Sequence, residues 1–134
     1  MGDVYSTNPV TVTKESILEF GQKYDPQYFH IDEVAAKRSP YGSLIASGFQ
    51  TLAVVWAEWI KMDILGRDCI GGAGADMQFK APVIPNDQLK GQFKVANKRM
   101  LSDEKRGILT IEVVIHNQKE EEVFSAQTNV FMLV

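Results

Sequence analysis

The chain predicts an α+β domain in which a curved antiparallel sheet packs on one central helix. Two observations carry this reading. Helical apolar spacing and capping residues are concentrated before Met62, whereas alternating apolar and polar residues, the two-residue period of half-buried strands, dominate after Asp76. Helices first and strands later, with no internal repeat or linker, is the order of an α+β fold rather than of alternating βα units. At 134 residues, the span 1–134 is the usual size of one domain and can bury a core without disulfides or a metal.

The first helix follows Thr13, a plausible N-cap before an acidic first turn; Ile17, Leu18 and Phe20 give its apolar side, and it ends near Asp25. Asp32 and Glu33 open a second short helix through Ala35, Ala36 and Lys37, which Pro40 and Gly42 stop. From about Ser47 to Met62 runs the longest helix. Its first half is apolar nearly all round, as in a helix wrapped by other structure, and Trp56 and Trp59 read as packing residues in the core or at a dimer interface. Gly71, Gly72 and Gly74 read as a flexible loop, and a strand begins over Asp76 to Lys80 before Pro82 and Pro85, prolines that mark an edge or a bulge. Leu89 to Val95 alternates cleanly, with lysines on one face. Two further strands, Ile108 to Ile115 and Val123 to Met132, are joined by a polar turn from His116 to Glu120, where His116 is expected in solvent.

Composition excludes several classes of function. With 45% hydrophobic and 23% charged residues, the chain is neither disordered nor of low complexity. A net charge of -3, with no Lys/Arg block longer than two residues, leaves no electrostatic footprint for nucleic acid or an anionic membrane. Cys69 is the single cysteine, so no disulfide framework exists within the chain and a reducing compartment is expected. Residues Met1 to Val10 lack the basic and apolar regions of a secretory signal, and the longest apolar run, Leu52 to Ala57, is far below the ~20 residues of a membrane span. The expectation is a cytoplasmic protein.

The chemistry concentrates in Asp25 and His30, a carboxylate and an imidazole in apolar company, with Gly48 downstream at the start of the longest helix. These are the minimum parts for acid-base work on a carbonyl compound: two proton carriers and a backbone donor at a helix N-terminus. The residues alone leave another reading open, in which Asp25 and Pro26 form a turn and His30 is a satisfied loop histidine. Asp32 reads as the N-cap of the Glu33 helix. Asp25, His30 and Asp32 are a weak metal set without a second cluster, and no metal is expected. The glycines at 71, 72 and 74 lack the Lys-Ser/Thr ending of a phosphate loop. Ser39, Ser43 and Ser47 lie in no nucleophile elbow, and Cys69 has no helix-start or basic context, so an acyl-enzyme route is disfavoured.

At Asp25-Pro26-x-x-Phe29-His30-x-Asp32, with Ser43-Leu44-Ile45-Ala46-Ser47-Gly48-Phe49 behind it and Phe79 to Leu89 further on, the sequence resembles the MaoC-like dehydratases, the hot-dog family that includes R-specific enoyl-CoA hydratases. The likeness runs through nearly the whole chain in order. It implies the hot-dog fold, an antiparallel curved sheet around a central helix, and a homodimer whose paired sheets build the pocket. It implies an acyl-CoA thioester as substrate and no cofactor. It places Asp25 and His30 on the attacking water and the Gly48 N–H on the thioester oxygen, with Ser47, Phe49 and Tyr28 beside the substrate. Two positions depart from the hydratase pattern: Ser47 stands where the family motif has His, and Trp56 stands where characterised R-hydratases have a serine. A non-catalytic acyl-thioester-binding protein and a hot-dog thioesterase are the alternatives.

Overall fold

In the computed structural model, which describes residues 2–134, the alternation from Leu89 onward forms the start of a long strand: Leu89, Gly91 and Phe93 are buried while Lys90, Gln92 and Lys94 are exposed. The chain opens with two short strands, β1 (Val4–Ser6) and β2 (Val10–Thr11), then α1 (Lys14–Tyr24), α2 (Tyr28–Ile31), α3 (Glu33–Lys37) and the long α4 (Gly48–Lys61). A 3-10 turn at Gly66–Asp68 leads to β3 (Cys69–Phe79), β4 (Gln88–Met100), β5 (Arg106–His116) and β6 (Glu122–Leu133). The strands form one six-stranded antiparallel sheet in the order β1-β4-β5-β6-β3, with β2 also paired to β4.

The buried face of α4 sits on this sheet. Trp59 stacks flat on Phe93 of β4, ring centroids 4.6 Å apart, and Val55 presses so close to Gly91 that a Cβ at that position would collide with it. Ile111, Val113 and Ile115 of β5 and Phe124, Ala126 and Val130 of β6 complete the core. Both expected caps form: Thr13 Oγ1 accepts from Ser16 N–H at 3.1 Å, and Asp32 Oδ1 accepts from Ala35 N–H at 3.0 Å.

Four features differ from the sequence reading. The glycines at 71, 72 and 74 belong to β3, which pairs with β6 from Cys69 opposite Met132 to Phe79 opposite Phe124. Register shifts at Cys69/Gly71 and Gly72/Gly74 break the alternation, and Gly71 adopts φ 143°, so the strand pattern is erased where glycine serves the bulges. β1 and β2 are too short to carry a period of their own. His116 is the last residue of β5 and is half-buried rather than at the tip of the turn. α4, finally, is covered on one side only: Phe49 and Ile60 remain 54% and 50% exposed on the other. β3 lies at the sheet edge, as Pro82 and Pro85 suggest. Among the described residues, no helix is long and apolar enough to cross a membrane.

Candidate active site

Asp25 is the residue at which α1 stops. Its N–H still bonds to Gly21 O at 2.9 Å, but its backbone leaves the helical region at φ -155° and ψ 72°, and Pro26 prevents the helix from resuming directly. The chain re-enters a single helical turn at Tyr28, which sets His30 against α1. The contact is close enough that a Cβ on Gly21 would lie 2.9 Å from both the His30 Cβ and the His30 carbonyl oxygen, so glycine at 21 is what lets this turn approach α1.

His30 is 4% exposed, and each side of its ring has a defined partner. Nδ1 lies 2.7 Å from the Ile45 carbonyl oxygen, which can only accept, so Nδ1 carries a proton and Nε2 faces the Asp25 carboxylate, 3.4 Å from Oδ2. Ile45 is itself strapped in place, its N–H bonding to Phe29 O at 3.0 Å, and next to it Ala46 N–H bonds to Val83 O at 2.8 Å. The ring is therefore aimed by backbone from the segment that leads into α4.

Asp25 accepts two side-chain hydrogen bonds, from Gln27 Nε2 to Oδ1 and from Ser47 Oγ to Oδ2, both at 2.8 Å. Burial pushes its carboxyl up, but the hydrogen bonds from Gln27 and Ser47, with His30 nearby, outweigh burial and hold it below the ordinary carboxylate range. Asp25 is thus a carboxylate at neutral pH.

Asp25, His30 and Gly48 share the wall of one cavity of about 400 Å³, a size suited to a small ligand or one arm of a larger one. As the first residue of α4, Gly48 offers one of the amide N–H groups that a helix cannot satisfy internally, at the positive end of the helix dipole. A side chain there would strike the Phe79 ring, which lies over it. Phe49 joins the lining and meets Phe79 edge to face at 5.7 Å. The far wall comes from Val83, Val123 and Phe124, and Lys80 at the same cavity pairs with Glu122 at 2.6 Å.

Two residues named from the sequence stand elsewhere. Ser47 is 1% exposed and directs its hydroxyl to Asp25, behind the cavity wall rather than into the space. Tyr28 is 48% exposed, packs edge to face on Phe29 and lies outside the cavity lining. Trp56 also lies away from this cavity: its ring is 5.9 Å from Phe93, and it lines a separate apolar groove on the outer side of α4. Sequence reasoning missed Gln27, the Ile45 carbonyl and Phe79. Phe79 could have been found, since it immediately precedes Lys80 and the Pro82 break; Gln27 and Ile45 act through geometry that no local pattern encodes. Among the described residues, no group of three or more His, Cys, Asp and Glu side chains could hold a metal ion.

Comparison with known proteins gives a consistent result. Residues 1–117 match the family model of the MaoC-like domain. An uncharacterized protein of Bacillus subtilis, YdeM, is 38% identical over 133 residues, covering 98% of this chain and 94% of the relative. The crystal structure of a MaoC-like dehydratase from Rhodospirillum rubrum superposes with a TM-score of 0.90 at 30% identity, covering 99% of this chain and 92% of that one. An unliganded R-hydratase from Pseudomonas aeruginosa shares the fold at a TM-score of 0.76 and 20% identity, covering 99% of this chain and 81% of the other.

Proposed function

This chain is a member of the MaoC-like domain family with its hot-dog fold, and from that premise we propose that it is an acyl-CoA hydratase or dehydratase. The reaction is the reversible syn addition of water to a trans-2-enoyl-CoA, giving a (3R)-3-hydroxyacyl-CoA. The observation that carries this reading is the meeting of Asp25 Oδ2 and His30 Nε2, 3.4 Å apart, on the wall of the cavity that Gly48 also lines.

Water held by the pair loses a proton to Asp25 as its oxygen adds to C3. The electron pair of the C2–C3 double bond moves toward the thioester, whose oxygen becomes enolate-like and takes a hydrogen bond from the Gly48 N–H. The pair then returns one proton to C2 on the same face, so that the net addition is one water. Positioned proton transfer contributes roughly 100 to 10,000-fold, and an oxyanion donor roughly 100 to 1,000-fold. Water and the side chains of this chain suffice for the step, and no cofactor enters it. The placement of Trp56 outside the cavity supports catalysis over a binding-only role.

The test is loss of the 2-enoyl thioester absorbance with crotonyl-CoA and longer enoyl-CoAs, together with product stereochemistry. Water addition giving the 3R product supports the reading. No turnover across the panel overturns it for those substrates, and release of free thiol instead identifies a thioesterase.

The proposed assembly is a homodimer. Among the described residues β3 leaves one edge of the sheet unpaired, and beside it Phe49, Leu52, Ala53, Trp56 and Ile60 line the open apolar groove. A two-fold contact of β3 with β3 of a second copy would pair the edge and cover the groove at once. Sedimentation should give a dimer, and Ile60→Lys, on a side chain 50% exposed, should shift it toward folded monomer.

A further inference from the structure

We propose that Ser47 is a positioning residue that ties the Asp25 carboxylate to the first turn of α4, fixing the base relative to the Gly48 N–H. The inference rests on the reading of Asp25 as the base and adds to it a device for holding that base. A serine hydroxyl has one proton to donate. At Ser47 that proton goes to Asp25 Oδ2 at 2.8 Å, while the oxygen accepts from Phe49 N–H at 3.3 Å. With 1% exposure and no place in the cavity lining, the hydroxyl has neither a free proton nor access for a ligand.

An ordinary N-cap needs only the acceptor half of this arrangement, and a polar surface serine would need neither. The donor half is directed across 22 residues of sequence to the one carboxylate beside His30. Because the same oxygen caps α4, a movement of the helix start would move the carboxylate with it. Base and oxyanion donor are thereby kept in one frame, which is the condition for near-attack geometry. The hydroxyl also favours the ionised carboxylate, since a donor stabilises the charged form.

The groups that bear on Asp25 are His30 from α2, Gln27 from the turn and Ser47 from the start of α4; Tyr41 and Lys80 line the same cavity, Lys80 paired with Glu122. Ser47→Ala should therefore lower kcat by roughly 10 to 100-fold, the scale of a lost hydrogen bond to a charged group, with KM little changed. The acid limb of the pH-rate profile should move upward. Ser47→Thr, which keeps the hydroxyl, should restore both. Ser47→Gly separates the roles, because glycine caps a helix nearly as well but has no donor; it should melt above Ser47→Ala while showing the same acid-limb shift.

A second readout needs no substrate. The carboxyl 13C titration of Asp25, assigned against Asp25→Asn, should move upward in Ser47→Ala and Ser47→Gly and return in Ser47→Thr. An Asp25 titration indifferent to loss of the hydroxyl overturns the proposal whatever the activity, as does a rise in KM with the acid limb unmoved. Absence of turnover in the wild type with a moved titration would instead overturn the hydratase reading for the substrates tried and leave the tie between Ser47 and Asp25 standing.

Discussion

The two ends of α4 are buried by opposite means. At its start, Ser47 is 1% exposed and satisfied by a carboxylate and an amide, and the Asp25–His30 pair it serves is aimed by directed hydrogen bonds. Three turns on, Trp59 is equally buried, yet it is held by contact area: its ring lies 4.6 Å from Phe93 at 3°. Its Nε1 has no hydrogen-bond partner among the described residues. Hydrogen bonds contribute little net stability but fix direction, whereas apolar contact contributes stability and fixes direction less. The end of the helix that carries the candidate site is polar, and the end that holds the helix on the sheet is aromatic.

Substitutions at the two ends should therefore fail in different assays. Asp25→Asn and His30→Ala should each lower hydratase turnover by about 100 to 10,000-fold, or roughly 3 to 5.5 kcal/mol of barrier, while the circular dichroism and melting temperature stay close to wild type. If either variant unfolds as readily as a core truncation, the polar end is structural and the contrast collapses. Trp59→Ala should behave in the converse way, destabilising the fold by about 3 to 5 kcal/mol in urea unfolding. At temperatures where it stays folded it should keep the Asp25 titration of the wild type.

The same contrast explains what the sequence disclosed. Strands such as Leu89 to Val95 were legible because contact with a core imposes a period on every second residue, and the caps at Thr13 and Asp32 were legible because they act within three positions. Asp25, His30 and Gly48 could be named because polar residues are conspicuous in apolar surroundings and the ordered likeness to a known family gave them roles. The bonds that hold Asp25 and His30 in place were not legible. Ser47 reaches Asp25 across 22 positions and His30 reaches Ile45 across 15, and such pairings depend on how α1, α2 and α4 meet. β3 was misread at Gly71 to Gly74 for a related reason: a bulged edge strand satisfies its backbone through β6 and has no buried side chains there to announce it.

The smallest expected effect sharpens the contrast by pH. Because Asp25 titrates below the ordinary carboxylate range in the folded chain, its hydrogen bonds favour the native state above the unfolded value, about 3.9, and that contribution is lost as pH falls through the folded value. Asp25→Asn has no proton to take up. Its stability deficit against the wild type should be constant near neutrality and should narrow as pH is lowered from about 5 toward 2. Trp59→Ala, whose deficit comes from lost contact with Phe93, should keep the same gap over that range. Urea midpoints of the three proteins at several pH values make the comparison. Parallel pH profiles for Asp25→Asn and the wild type would mean that the carboxylate gains nothing from Ser47 and Gln27 on folding, and the polar end of α4 would then have to be explained by packing alone.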